Sequence, residues 1–202
     1  MKIGLFFGSF NPIHHGHLMV ASYIANHTAL QQIWLVVSPQ NPHKTQASLL
    51  NEYDRLHLAQ LAIEDDDQIK VSDIEFKLPK PSYTIDTLTY IQEQFPQHEF
   101  SVIMGGDSFQ NLPKWKNFEM LIKNYQFIVY RRPGFEITEM NGARVQYLEA
   151  PMLELSATLI RNNCKDGITI RYLVPEKVRE EIERNNYFKE EVVKTSSGKK
   201  SI

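Results

Sequence analysis

The apolar residues fall into short unbroken runs separated by stretches of helical period. Lys2 to Phe7 (KIGLFF), Gln32 to Val37 (QIWLVV), Glu99 to Met104 (EFSVIM) and Gln126 to Tyr130 (QFIVY) are continuous rather than alternating. A strand with one wet face alternates, whereas a strand covered on both faces does not. Between these runs lie amphipathic patterns over Gly16 to Asn26, Glu52 to Ile63 and Ile85 to Phe95. Leu56, Ala59 and Ile63 form one stripe, and Leu88, Ile91 and Phe95 another. Ile69 to Phe76 and Val145 to Leu148 read as further strands. Pro175 stands where a helix begins, followed by VREEIERN. Strands alternating with helices predict an α/β class built on a parallel sheet.

Composition narrows the function classes. The chain has 202 residues, of which 42% are hydrophobic, enough for a sizeable core. The length favours one domain over residues 1–190, with the Lys- and Ser-rich stretch 191–202 expected to be a disordered tail. A formal net charge of −2 argues against coating nucleic acid by bulk electrostatics. No apolar stretch is long enough for a membrane span, and a lone Cys164 forms no internal disulfide. The expectation is a cytoplasmic protein, with a homo-oligomer left open. The polar loop Ser38 to Leu49, with two prolines, is long enough to suggest function.

Chemistry enters after the first strand, in Gly8-Ser9-Phe10-Asn11-Pro12-Ile13-His14-His15-Gly16-His17. In an open parallel sheet the carboxyl ends of the strands form the ligand crevice. A glycine there lets backbone approach a ligand, and the helix beyond offers unpaired N–H groups and a positive dipole end. His14 and His17, three residues apart, face the same side, with no side chain at Gly16 between them. A helix-start cluster without chemistry and a zinc pair are the competing readings. The second lacks a Cys or Glu nearby to complete the site.

This segment resembles the HxGH signature of the nucleotidyltransferases, whose fold is shared with the class I aminoacyl-tRNA synthetases. The resemblance implies a Rossmann-like open parallel sheet flanked by helices, the nucleotidyltransferase fold. It also implies that Gly8, Ser9, Phe10, His14 and His17 bind ATP, with His14 and His17 catalytic and His17 nearest the α-phosphate. A second family motif, ISSTxIR, is matched by Leu155-Ser156-Ala157-Thr158-Leu159-Ile160-Arg161. Ser156 is a good N-cap by its own chemistry, so a plain capped helix with a surface arginine is the alternative. The resemblance places Ser156, Thr158 and Arg161 on the ATP phosphates. Met104-Gly105-Gly106-Asp107 follows another buried strand at the expected switch point. Gly106 and Asp107 are candidates for the nucleotide as well, with Asp107 either binding ribose hydroxyls, capping a helix, or both.

The acceptor is carried by other segments. PSYTIDTL (Pro81 to Leu88) and GGDSFQNLPKWKNFEML resemble the bacterial nicotinate mononucleotide adenylyltransferases, and the likeness runs from Lys2 to about Asn186. The related pantetheine-phosphate enzymes are shorter and carry Thr at the position of His14. The resemblance implies that Trp115 stacks on the pyridine ring, that Thr84 contacts its carboxylate, and that Lys44 and Arg132 hold the mononucleotide. Trp115 reads equally as an anchor packed on the core. The implied reaction joins ATP to nicotinate mononucleotide, with Mg²⁺ arriving on the triphosphate and no metal bound by protein groups alone. Transfer to nicotinamide mononucleotide or another phosphate acceptor, and a nucleotide-binding sensor without turnover, are the rival functions. A synthetase fragment lacks room for an anticodon-binding domain.

Overall fold

The computed structural model describes residues 1–40, 49–131, 140–151 and 153–189. In chain order its elements are β1 (Lys2–Gly8), α1 (His15–His27), β2 (Gln32–Val37), α2 (Glu52–Ala62), β3 (Ile69–Ser72), α3 (Thr84–Gln94) and β4 (Glu99–Gly105). Then come α4 (Gly106–Gln110), α5 (Phe118–Asn124), β5 (Gln126–Tyr130), β6 (Arg144–Leu148), α6 (Ala157–Lys165) and α7 (Glu176–Arg184). The six strands form one sheet in the order β3-β2-β1-β4-β5-β6, every neighbouring pair parallel.

The unbroken apolar runs are explained by two cores, one on each face. On one face lie Phe6, Ile33, Leu35, Val37, Ile103 and Ile128, packed by residues of α1, α2, α6 and α7. On the other lie Ile3, Leu5, Val36, Val102, Phe127 and Val129, packed by residues of α3, α4 and α5. Successive strand residues alternate between the two cores, so both sets must be apolar.

The same arrangement makes the crevice. From β1 the chain steps through α1 and α2 toward β3, then α3 carries it back across to β4 and onward to β5. Crossovers of one hand moving in opposite directions must use opposite faces of the sheet. The helices therefore part at the β1–β4 boundary, which opens a cleft at the carboxyl ends of those strands.

Two sequence expectations are modified. The strand foreseen over Ile69 to Phe76 ends at Ser72, and Ile74–Lys77 is a 3₁₀ turn. β3 is an edge strand paired on one side only, and the turn drives Ile74 and Glu75 inward instead. The short helices α4 and α5 have no counterpart in the periodicity, because five and seven residues give too few turns to show one. The tail over residues 191–202 lies outside the described residues. Among the described residues no helix is long and apolar enough to cross a membrane.

Candidate active site

A cleft of about 1200 Å³ opens above β1 and β4. Its first wall is the loop leaving β1. Gly8 is required by close approach, since a Cβ there would stand 2.8 Å from the Phe10 ring. Phe10 has a φ of 44°, a left-handed conformation unusual for a bulky residue. Its ring is buried, edge-on to Phe6 at 6.0 Å and to His17 at 5.1 Å. Phe10 thus lines the cleft that the expected ATP-binding residues share, with its ring packed against that of His17.

His14 caps α1 with its backbone: its carbonyl accepts the N–H of His17 at 3.0 Å and of Leu18 at 3.3 Å. The two imidazoles stack at 3.7 Å with 23° between their planes. A Cβ on Gly16 would lie 3.0 Å from the His14 ring, so a side chain there would press on the imidazole. His14 is buried, and its Nδ1 has no hydrogen-bond partner among the described residues. Burial, with His15 adding a smaller repulsion, lowers its pKa from 6.5 to about 4. His14 is therefore neutral at neutral pH before any phosphate arrives.

The second motif lies 150 residues away in sequence and meets the first in space. The Ser156 hydroxyl caps α6 by accepting the Leu159 N–H at 3.2 Å, as its residue type predicts. Arg161 donates from Nη1 to the Asn11 carbonyl at 2.8 Å and from Nη2 to the Thr158 hydroxyl at 3.2 Å. Burial lowers its pKa, yet a guanidinium remains charged at neutral pH. The Leu155 carbonyl is 3.7 Å from the Cβ position Gly16 leaves empty, so the starts of α1 and α6 adjoin. Two helix N-termini, two imidazoles and a guanidinium surround one space, an arrangement suited to phosphate.

At the switch point the N-cap of α4 is Gly105, not Asp107, which is the second residue of the helix. The capping alternative for Asp107 is thereby corrected: β4 runs straight into α4 and leaves no turn residue to cap. Asp107 lines the cleft, while Gly106 is buried beneath it. At the far end, Thr84 opens α3 and lines the cleft. The N-cap residue of α3 is Tyr83, with no side-chain cap, so N–H groups at this end are left for a ligand. Trp115 lines the cleft and packs its partly buried indole on the core. Lys116 pairs with Asp86 at 2.7 Å and lies over the Tyr83 ring at 4.8 Å, tying the Trp115 segment to α3. Lys44 and Arg132 lie outside the described residues.

A cytidylyltransferase-like family profile matches residues 5–163. The "Probable nicotinate-nucleotide adenylyltransferase" of Flavobacterium psychrophilum is 47% identical over 192 residues, covering 94% of this chain and 100% of its own. That of Cytophaga hutchinsonii is 49% identical over 189 residues, covering 93% and 98%. The chain belongs to the nicotinate-nucleotide adenylyltransferase family. Among solved structures, the Plasmodium falciparum nicotinic acid mononucleotide adenylyltransferase complexed with NaAD superposes with a TM-score of 0.78 at 22% identity, covering 93% of this chain and 97% of that one. That likeness shows the fold.

Two buried charges in this family member escaped the sequence reading. Arg55, with no exposure at all, donates to the carbonyls of Leu50, Ser9, Ser38 and Pro39 at 2.6 to 2.9 Å. It ties together the loops leaving β1 and β2. Glu75 is 2% exposed and accepts from Ser82 and Thr87, each at 2.8 Å. Neither had a signal: Arg55 sits among the polar residues of an amphipathic helix, and Glu75 fell within the strand expected over Ile69 to Phe76.

Proposed function

We propose that this protein transfers the adenylyl group of ATP to nicotinate mononucleotide, giving nicotinate adenine dinucleotide and pyrophosphate, a step of NAD biosynthesis. The observation that carries the reading is the convergence of His14, His17 and Arg161 with Thr84 and Trp115 around one cleft. One end supplies donors for phosphates and the other a flat ring and free N–H groups for an acidic aromatic acceptor. The names of the relatives support the acceptor, and a fold neighbour complexed with NaAD supports a cleft that spans both halves of that product. The same reading treats residues 1–190 as one catalytic domain, since α6 and α7 pack on the core shared with α1 and α2.

A phosphate oxygen of the mononucleotide attacks the α-phosphorus of ATP in line. The new P–O bond forms as the bond to the bridging β-oxygen breaks, and the electron pair leaves on pyrophosphate. The acceptor phosphate is ionised near neutral pH, so no side chain need act as a nucleophile or strong base. Catalysis is positioning and charge stabilisation, which together supply on the order of 10 kcal/mol. His17 and Arg161 are assigned to the charge that develops on the leaving phosphates, and Ser156 and Thr158 to hydrogen bonds with them. Among the described residues no group of three His, Cys, Asp or Glu side chains could hold a metal ion. Mg²⁺ is assigned to the incoming ATP.

The test is pyrophosphate release from ATP with a panel of phosphate acceptors. Nicotinate mononucleotide is expected to give the highest kcat/KM, and the amide a lower one. Release with neither mononucleotide would remove the proposal, and a preference for the amide would reassign the acceptor. His17→Ala is expected to lower kcat by about a hundredfold or more with the circular-dichroism spectrum intact. A variant with near-normal turnover would take His17 out of the mechanism.

A further inference from the structure

Glu75 is a buried acid that the proposed chemistry does not use. Among the described residues no cation is paired with it, and burial raises its pKa despite the hydroxyls around it. A carboxylate in such a place is costly, and an apolar side chain of that size would pack without the cost. What the carboxyl does there is gather hydroxyls from three segments. Ser82 Oγ donates to Oε2 and Thr87 Oγ1 donates to Oε1, each at 2.8 Å, and the Ser38 side chain adds a smaller influence that favours the carboxylate. Ser82 precedes and Thr87 follows Thr84, so the acid holds the acceptor turn from both sides.

The connection continues beyond Ser38. Its carbonyl accepts from Arg55 Nη1 at 2.8 Å, and the same nitrogen donates to the Ser9 carbonyl at 2.6 Å. The Ser38 N–H closes the link by donating to the Gly8 carbonyl at 2.9 Å. A continuous polar path thus runs from the loop after β1, through Arg55, Ser38 and Glu75, to the start of α3.

We infer that Glu75 is a positioning residue that fixes the acceptor turn, Ser82 to Thr87, at a set distance from the nucleotide loop at Ser9. This rests on the reading that Thr84 faces the acceptor. In-line attack requires the reacting atoms about 3–3.5 Å apart, and a displacement of about 1 Å costs on the order of a hundredfold in rate. A turn held only by its own backbone would not keep that spacing.

The test compares the full chain with Glu75→Ala, Glu75→Gln and Ser82→Ala. Steady-state kinetics are read with each substrate varied in turn, and amide hydrogen exchange is followed over residues 81–87 and 8–11. In Glu75→Ala kcat is expected to fall at least about tenfold and the KM for nicotinate mononucleotide to rise about tenfold, with the KM for ATP changed less than about twofold. Exchange is expected to quicken over residues 81–87. Glu75→Gln, which keeps the volume and an acceptor oxygen, is expected to restore most of the loss. Ser82→Ala, which removes one donor and leaves the acid in place, is expected to move the same KM in the same direction even if Glu75→Ala does not fold. An equal rise in both KM values, or unchanged acceptor KM and exchange, overturns the inference. If the wild-type chain releases no pyrophosphate with nicotinate mononucleotide, the functional reading falls by itself. Exchange over residues 81–87 then still decides the role of Glu75.

Discussion

A histidine held neutral by burial is a poor partner for anything but an arriving charge, and His14 is in that position. Its pKa of about 4 in the fold lies below the 6.5 of the unfolded chain. Between those values the unfolded chain binds more protons, so stability falls as the pH drops through that window. The two and a half units correspond to about 3 kcal/mol. Urea unfolding at pH 7 and pH 4.5 is expected to show a steeper loss for wild type than for His14→Gln, which has nothing to titrate. Equal slopes would mean that His14 is solvated in solution. A triphosphate supplies the charge that burial withholds, so nucleotide is expected to raise this pKa. The neighbouring Gly16 has its own reason to be small, because a Cβ would meet the His14 ring at 3.0 Å.

At the scale of elements, the two helices that start at the cleft share an omission. Neither α1 nor α6 carries an acidic residue in its first turn. Acids there usually stabilise a helix by about 0.3–1 kcal/mol, through the dipole. Their absence leaves both positive ends uncancelled at one place. Ser156→Asp tests this directly, since Asp caps a helix as well as Ser does. The variant is expected to keep or gain about 0.5 kcal/mol in stability while its KM for ATP rises at least about tenfold. An unchanged KM for ATP would separate α6 from the triphosphate. α3 differs in character, because its uncapped start lines the cleft and its register is held by Glu75 and by Lys116 on Asp86.

The whole molecule sets the two halves of the cleft against each other. Arg55 fastens the loops after β1 and β2 by donating to four backbone carbonyls. Burial lowers its pKa to about 10, which leaves it charged at neutral pH. Arg55→Ala is expected to lose at least about 3 kcal/mol in chemical unfolding, because several buried acceptors lose their donor together. A loss below about 1 kcal/mol would show that water replaces the guanidinium. Trp115 lines the same cleft as the histidines, and Trp115→Ala is expected to raise the KM for the mononucleotide far more than that for ATP. The reverse pattern, read in the same assay, would move the acceptor away from the indole.

The sequence by itself determined the strands, because a run covered on both faces must be continuously apolar and Lys2 to Phe7 or Gln126 to Tyr130 could be nothing else. It determined the cap of α6, because Ser156 acts on a neighbour three residues away. It also carried HxGH and its late partner, the two segments on which the proposed phosphate binding rests. The tertiary structure decided what depends on distance across the chain. The Phe10 ring packs against that of His17, Asp107 moved inside α4, and the strand after Ser72 gave way to a turn that buries Glu75. It alone showed that Arg161 reaches Asn11 and that Arg55 and Glu75 join the two ends of the cleft. A buried charge is written in the sequence with the same letter as a solvated one. Only the partners folded around it, drawn from segments far apart in the chain, say which it is.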